Sequence, residues 1–181
     1  MRIERELGRL LTGRKESLAV AESCTGGLVA KKITDAPGSS AYFLEAAVTY
    51  TNESKERALG VRRATLRKFG AVSAQAAEEM AEGIRRRARS DWGLAATGIA
   101  GPSGGSREKP VGTVCFAVAG KGKTLSWARR FSGGREEVRE KAALAALDLA
   151  RRRVRLESIS PRGGGRRSRS WTARARAGIP R

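Results

Sequence analysis

The sequence predicts an α/β fold, a three-layer α/β/α sandwich with a mixed, mostly parallel sheet. Short apolar runs alternate along the chain with segments in which apolar residues recur at helical spacing. Polar, glycine-rich turns follow several of the apolar runs, as they do at the carboxyl ends of strands in open α/β sheets. Late in the chain, two strand-like runs flank residues 120–123 (GKGK), which is a hairpin signal and makes the sheet mixed.

The N-terminal segment predicts a helix, a strand and a second helix. Apolar side chains at positions 3, 7, 10 and 11 lie on one face of a helix over residues 3–11. Residues 17–21 (SLAVA) form a short apolar run typical of a buried strand. The run stops at a polar turn over residues 22–27, and helical spacing resumes over residues 28–34.

The middle of the chain predicts one strand and three helical segments. Residues 43–50 read as a strand, and Thr51 is placed to cap a short helix that ends near residue 59. Another helical turn is expected over residues 65–69. Ser73 is a plausible N-cap for a longer helix over residues 74–89.

The last part of the domain predicts three strands and a long helix. Residues 93–97 are strand-like and lead into a glycine-rich loop. Residues 111–119 and 124–131 form the predicted hairpin, and a helix of about twenty residues follows Gly134.

Length and charge divide the chain of 181 residues into two regions. Residues 1–158 are expected to form one domain, and residues 159–181 a basic tail whose composition predicts disorder. Lys+Arg total 37 against 18 Asp+Glu, a net charge of +19. Residues 160–181 contain no acidic residue, and their arginines are Arg162, Arg166, Arg167, Arg169, Arg174, Arg176 and Arg181.

The chain contains no histidine, which excludes several classes of active site. A Ser-His-Asp triad, a Cys-His pair and an imidazole-based zinc site are all impossible. A hydrolase built from this sequence must take its base from Lys, Asp, Glu or Tyr.

The sequence also predicts a cytoplasmic protein without a membrane segment. Residues 1–11 are charged and lack the apolar stretch of an export signal, and nowhere do 18 apolar residues run consecutively. The two cysteines, Cys24 and Cys115, are expected to be reduced thiols.

The excess positive charge does not by itself indicate a nucleic-acid-binding protein. Outside the tail, most of it lies in residues 85–89 and 151–155, at the C-terminal ends of predicted helices, where cations complement the helix dipole. No helix-turn-helix, zinc-finger or RNA-recognition pattern is present, so specific nucleic-acid binding is not expected. The tail could still contact nucleic acid without sequence preference.

The polar turns are the expected ligand-binding elements. Their glycines let backbone N–H groups approach an anion such as a phosphate or an oxyanion. The GxxxxGK[ST] pattern is missing, so nucleoside-triphosphate hydrolysis of the P-loop type is not expected. The candidate substrate-binding residues in these turns are Glu22, Thr25, Gly26, Gly27, Ser39, Thr97, Gly98, Gly101, Gly104 and Gly105.

Ser40, Tyr50 and Lys55 form a candidate catalytic set. A serine hydroxyl needs a base, and without histidine a neutral lysine amine can serve. Burial or a neighbouring cation would lower the lysine pKa enough for that role. Tyr50 ends a predicted strand and Lys55 starts the next helix, so both could face one cleft. By spacing alone, however, a tyrosine and a lysine near the start of a helix more often lie at the surface.

Four long motifs resemble the C-terminal domain of the competence-damage-inducible protein CinA. They are AESCTGGLVAKKITDAPGSSAYF, VTYTNESKERALGV, FGAVSAQAAEEMA and TGIAGPSGGSREKPVGTVCFA, and the resemblance covers about residues 3–156 in unbroken order. The family includes stand-alone nicotinamide-nucleotide amidohydrolases, and the larger members carry an additional N-terminal domain that is not found here.

The resemblance implies hydrolysis of the carboxamide of nicotinamide mononucleotide, giving nicotinate mononucleotide and ammonia in pyridine-nucleotide salvage. Active sites of the family use a serine, a tyrosine and a lysine without metal, so the resemblance implies a site with neither a metal nor a cofactor. The motifs PGSS, VTY and NESK then assign Ser40 as nucleophile, Tyr50 as helper and Lys55 as general base. Ser23, in the ESCTGG turn, is the competing nucleophile or a substrate contact.

Two other functions stay open at this point. One is a non-catalytic nucleotide-binding or DNA-associated module, in line with the net charge. The other keeps the hydrolysis but changes the substrate to another amide of a phosphorylated nucleoside. A homo-oligomer is expected for a small enzyme whose cleft is built from loops.

Overall fold

The computed structural model describes residues 2–157, so the predicted basic tail at 159–181 lies outside the described residues. The described part holds six α-helices and five strands. The helices are α1 (Ile3–Arg14), α2 (Leu28–Thr34), α3 (Asn52–Leu59), α4 (Arg63–Phe69), α5 (Ala74–Ala88) and α6 (Arg135–Glu157). The strands are β1 (Leu18–Glu22), β2 (Phe43–Val48), β3 (Trp92–Gly98), β4 (Thr113–Ala119) and β5 (Leu125–Arg130), and a short 3₁₀ turn lies at Ser39–Ala41.

The five strands form one mixed sheet in the order β2-β1-β3-β4-β5. β1 pairs in parallel with both β2 and β3, whereas β4 is antiparallel to β3 and to β5. Four of the five strands therefore run in one direction, and β4 alone runs against them. This arrangement confirms the predicted α/β class with a late antiparallel hairpin.

Each face of the sheet is covered by helices, which gives the three predicted layers. On one face, α1, α2 and α6 pack over Leu18, Val20 and Leu94. On the other face, α5 packs over Ala19, Ala21 and other small side chains, with α3 and α4 outside it. β1 and most of β3 are buried on both faces, which explains their continuous apolar character.

The predicted elements all occur, and their ends differ from the predictions by a few residues. α1 continues to Arg14 because Lys15, with φ of 54°, provides the left-handed C-cap. β2 ends at Val48 rather than at residue 50, since Thr51 caps α3 and the chain must turn first.

The topology collects three polar turns at one edge of the sheet. β1, β2 and β3 are parallel neighbours, so the segments that follow Glu22, Val48 and Gly98 leave the sheet at the same edge. In the residues that the structure describes, no helix is long and apolar enough to cross a membrane.

Candidate active site

Ser23 and Lys55, a candidate nucleophile and a candidate base, lie side by side at the carboxyl edge of the sheet. Lys55 Nζ lies 3.1 Å from Ser23 Oγ, and the lysine side chain is only 1% exposed. Ser23 follows β1 directly, and its N–H donates to the carbonyl of Ala96 on β3. The serine is thus fixed to the sheet, and its hydroxyl points at the amine.

Lys55 is held in this position by its own helix and by one further hydrogen bond. Thr51 and Ser54 form a capping box that starts α3 and sets the direction of its first turn. Lys55 Nζ also donates to the carbonyl of Thr49 at 2.8 Å. The amine therefore has two neutral oxygen partners and no carboxylate partner among the described residues.

Burial lowers the pKa of Lys55, because removing the amine from water disfavours its charged form. The only opposing influence is the neighbouring Cys24, whose negative form would favour the ammonium. Burial raises the pKa of Cys24 itself to about 12, so this thiol is neutral at ordinary pH. The direction of the Lys55 shift is the one a general base requires.

The turn that carries Ser23 is fixed by a buried carboxylate. Glu22 is fully buried, and its two oxygens accept hydrogen bonds from the N–H groups of Gly27, Val29 and Ala30. These N–H groups lie at the start of α2, so Glu22 already neutralises the helix terminus. The N–H of Gly27, one of the groups expected to approach a phosphate or an oxyanion, therefore already has an internal acceptor.

A second contact ties the Ser23 turn to α6. Arg139 donates from Nε to the carbonyl of Cys24 at 3.2 Å and from Nη2 to the carbonyl of Thr25 at 3.0 Å. Gly26 lies beneath the guanidinium, with φ of 60°, and a Cβ there would lie 3.1 Å from Arg139 Nη2. The Arg139 guanidinium thus fixes the backbone of the two residues that follow Ser23, the candidate nucleophile.

The Ser23–Lys55 pair opens into a cleft of about 260 Å³. Tyr50 and Arg135 stand at its rim, where Arg135 Nη2 donates to the Tyr50 hydroxyl at 2.8 Å. Arg135 Nη1 donates to the carbonyl of Gly101 at 2.7 Å, which fixes the guanidinium against the glycine-rich loop. The residues that line the cleft are Ser23, Cys24, Tyr50, Lys55, Ala71, Val72, Thr97, Gly98, Ile99, Ala100, Gly101, Ser103, Gly104 and Arg135.

The expected pairing of Ser40 with Lys55 is wrong. Ser39 and Ser40 lie in the 3₁₀ turn before β2, whereas Lys55 lies after the end of β2. A strand of six residues spans about 20 Å, so the two serines lie at the opposite edge of the sheet from the lysine. Ser40 is exposed there, beside a groove of about 820 Å³ between α1 and residues 36–42. That groove is larger than the cleft but contains no nucleophile–base pair, so we place the site in the cleft.

The structure sorts the other candidate binding residues into three groups. Thr97, Gly98, Gly101 and Gly104 line the cleft, and the Thr97 hydroxyl also donates to the carbonyl of Ala71. Near the cleft but outside its lining are Thr25, whose buried hydroxyl lacks a partner among the described residues, and Gly105, packed against Val111. Glu22, Gly26 and Gly27 hold the turn, and Ser39 lies at the far edge.

Sequence reasoning missed Arg135, which is the arginine of the cleft lining. A signal was present, because Arg135 is the first residue of α6 and the helix dipole disfavours a cation at that end. A positive charge at this unfavourable position indicates that Arg135 interacts with groups outside α6. The apolar lining residues Ala71 and Val72 carry no comparable signal in the sequence.

Comparison with known proteins gives a consistent family. A sequence model described as the CinA C-terminal domain matches residues 1–154. A CinA-like protein of Geobacter sulfurreducens is 53% identical over 152 residues, which are 84% of this chain and 37% of that protein. A putative competence-damage inducible protein of Caldanaerobacter subterraneus is 54% identical over 144 residues, 80% of this chain and 35% of that protein. The chain thus spans little more than a third of the length of these curated relatives.

Solved structures agree with this match over nearly their whole length. The competence/damage inducible protein CihA of Agrobacterium tumefaciens is 44% identical, with a TM-score of 0.77 over 81% of this chain and 92% of that one. A CinA superfamily protein of Klebsiella pneumoniae is 34% identical, with a TM-score of 0.82 over 85% of this chain and 96% of that one.

Proposed function

The chain belongs to the family of the CinA C-terminal domain, and from that premise and the geometry of the cleft we propose that it hydrolyses the carboxamide of nicotinamide mononucleotide. The products are nicotinate mononucleotide and ammonia. The observation that carries the proposal is the distance of 3.1 Å between Ser23 Oγ and the buried Lys55 Nζ. The family includes amidohydrolases that act without histidine, and this pair supplies what such chemistry requires.

The reaction begins when the neutral amine of Lys55 takes the proton of the Ser23 hydroxyl. Ser23 Oγ then attacks the carboxamide carbon, and the carbonyl oxygen becomes an oxyanion. Collapse of this tetrahedral intermediate breaks the C–N bond, and the ammonium of Lys55 returns its proton to the leaving ammonia. An ester on Ser23 remains. Water activated by Lys55 cleaves that ester, which releases the carboxylate product and restores both side chains.

Backbone N–H groups near Ser23 are suited to hold the oxyanion. The N–H of Ser23 is bonded to Ala96, and that of Gly27 to Glu22, so neither is available. The cleft is lined by Cys24 and by the loop residues Ala100, Gly101, Ser103 and Gly104, and their N–H groups are the candidate donors. Donors fixed in advance stabilise the transition state because they need no reorganisation.

Arg135 and Tyr50 are suited to the other end of the substrate. The cleft of about 260 Å³ is near the lower limit of roughly 300 Å³ for small-molecule sites, so it can take the pyridine carboxamide while the ribose phosphate extends to the rim. Arg135 puts a positive charge at that rim, within reach of a phosphate. Tyr50 is then a contact that orients the substrate.

The direct test is ammonia release from nicotinamide mononucleotide in the presence of EDTA. We expect turnover by the wild type, and a loss of about 10²- to 10⁴-fold or more in Lys55→Met, because the base is removed while the volume is kept. Nicotinamide riboside, which lacks the phosphate, is the matched substrate and should turn over less efficiently. A wild type that releases no ammonia from the nucleotide would contradict the proposal.

The competing module without catalysis is tested on the same protein. It predicts salt-dependent binding to duplex DNA without ammonia release. A buried serine–lysine pair has no use in such a module, and its lysine is too buried to contact a phosphate backbone. Turnover of a different phosphorylated nucleoside amide, with none of nicotinamide mononucleotide, would keep the mechanism and change the substrate.

A further inference from the structure

Arg139 is a half-buried arginine of α6 whose hydrogen bonds go to the turn that carries Ser23. Its Nε donates to the carbonyl of Cys24 at 3.2 Å, and its Nη2 donates to the carbonyl of Thr25 at 3.0 Å. Within residues 2–157, no carboxylate pairs with Arg139. Both of its hydrogen bonds therefore serve the backbone next to the candidate nucleophile.

The segment that Arg139 holds is a β-turn that begins at the candidate nucleophile. The N–H of Gly26 donates to the carbonyl of Ser23 at 3.1 Å, so these are the fourth and first residues of the turn. Cys24 and Thr25 are its two central residues. The hydrogen bond of the turn does not fix the peptide between them, and β-turns of types I and II differ in the orientation of this peptide. A contact from outside the turn can fix that orientation.

The two hydrogen bonds from Arg139 give the peptides after Cys24 and Thr25 a common direction. Both peptides are trans, and a trans peptide carries its C=O and N–H on opposite sides. The N–H of Gly26 shows the consequence, because it points back at Ser23. Cys24 lines the cleft, whereas Arg139 does not. The negative ends of both peptide dipoles therefore lie toward α6 and away from the cleft.

We propose that Arg139 is a positioning residue for the hydrolysis: it holds the peptides on either side of Thr25 so that their carbonyl oxygens stay away from the oxyanion that forms beside Ser23. This role rests on the proposed function. A carbonyl oxygen turned toward the oxyanion would repel it, whereas dipoles fixed in the opposite sense favour the developing negative charge without reorganisation. Because Arg139 does not line the cleft, it acts only through the turn.

The fit between Arg139 and Gly26 shows that the turn leaves room for a guanidinium. A Cβ on Gly26 would lie 3.1 Å from Arg139 Nη2, closer than ordinary van der Waals contact. A larger residue at position 26 would therefore push the guanidinium away from its two carbonyls. A guanidinium is also a planar, rigid fork that fixes two acceptors relative to each other, whereas a lysine ammonium is a point charge on a flexible stem. The role therefore calls for arginine rather than for any cation.

Steady-state ammonia release from nicotinamide mononucleotide tests this role with three variants of the full chain. In Arg139→Met, which removes the donors, kcat should fall at least about tenfold and KM stay within about twofold, because the lost interaction acts on the transition state. Arg139→Lys should lie between Arg139→Met and the wild type. Arg153→Met is the matched control, since Arg153 is also a half-buried arginine of α6 and donates to a backbone carbonyl, that of Lys123, outside the cleft. It should keep the wild-type kcat.

The pH profile of kcat/KM separates positioning by Arg139 from a general loosening of the site. The influences on the pKa of Lys55 are burial and Cys24, and Arg139 is not among them. In Arg139→Met, the midpoint of the profile should therefore stay at the wild-type pH while the plateau falls. A midpoint displaced toward the ordinary lysine range would show that the Ser23–Lys55 pair itself has come apart, and would overturn the role.

The same measurements distinguish failure of this role from failure of the proposed function. Equal loss of kcat in Arg139→Met and Arg153→Met, or an unchanged kcat in Arg139→Met, would overturn the positioning role while the hydrolysis stands. Circular dichroism checks folding, and should Arg139→Met fail to fold, a wild-type kcat in Arg139→Lys would overturn the role on its own. A wild type that releases no ammonia would contradict the proposed function itself, and the role with it.

Discussion

At the scale of single residues, the proposed chemistry depends on one buried amine, that of Lys55. Lys55 is in reach of Ser23 Oγ and the Thr49 carbonyl, and no described carboxylate pairs with it. Burial lowers the pKa of Lys55, which suits this residue to act as a base. The same shift makes the free energy of unfolding depend on pH. Activity and stability therefore respond to the same titration.

The first consequence concerns activity. The proposed base is the neutral amine of Lys55, so kcat/KM should rise with pH as this residue loses its proton. The midpoint of the rise should lie below the ordinary lysine pKa of about 10.4, because burial lowers the pKa of this residue. A profile of kcat/KM for ammonia release measures it. A rate independent of pH across the range up to 10.4, with chemistry limiting, would argue against Lys55 as the base.

The second consequence concerns stability. Between the lowered pKa of folded Lys55 and about 10.4, the unfolded chain binds more protons at this residue than the folded one does. The free energy of unfolding should therefore gain a positive slope with pH in that window, up to about 1.4 kcal/mol per pH unit. Lys55→Met lacks this contribution. Urea unfolding of both proteins across the window should give a steeper rise for the wild type, and parallel curves would refute the shift.

At the scale of elements, α1 shows how closely a helix of this protein packs against the core. Gly8 and Gly13 both lie in α1, where glycine is a poor helix former. A Cβ on Gly8 would lie 2.9 Å from the buried ring of Tyr42, whereas a Cβ on Gly13 would meet nothing within 4 Å. Gly8 is therefore required by packing, and Gly13 is not.

These two glycines give a matched pair of substitutions. Gly13→Ala should raise the free energy of unfolding by about 0.5–1 kcal/mol, because it removes backbone freedom from the unfolded chain. Gly8→Ala gains the same entropy but must displace the Tyr42 ring, and overpacking of a core costs about 1–3 kcal/mol. The net effect at Gly8 should be destabilising. Thermal or urea unfolding of both variants would test this, and equal stabilisation would refute the close contact.

At the scale of the whole molecule, most of the fold could be predicted from periodicity and turns. The antiparallel hairpin, the long α6 and the polar turns at strand ends all follow from local patterns. Strand order and direction do not, because pairing depends on distant parts of the chain. The pairing of Ser40 with Lys55 had a different origin, because it followed from residue types and the family motifs, although the predicted strand over residues 43–50 already separates the two. Ser23 lies 32 positions from Lys55 in sequence and reaches it only because β1 and β2 are parallel neighbours.

The role of Glu22 shows a second limit of sequence reasoning. An acidic residue beside a glycine-rich turn reads equally well as a substrate contact or as a helix cap. Only the three hydrogen bonds to the start of α2 decide between them. The residue types of the site can thus be predicted from the sequence, but the hydrogen-bond partners of these residues cannot.

One pair of alanine variants decides whether Ser23 rather than Ser40 is the nucleophile. Ammonia release from nicotinamide mononucleotide is measured for Ser23→Ala and Ser40→Ala, with circular dichroism as the control for folding. With Ser23 as the nucleophile, Ser23→Ala should lose about 10³-fold or more of kcat, because the attacking hydroxyl is removed. Ser40→Ala should keep most of the wild-type rate. An inactive Ser40→Ala beside an active, folded Ser23→Ala would contradict it.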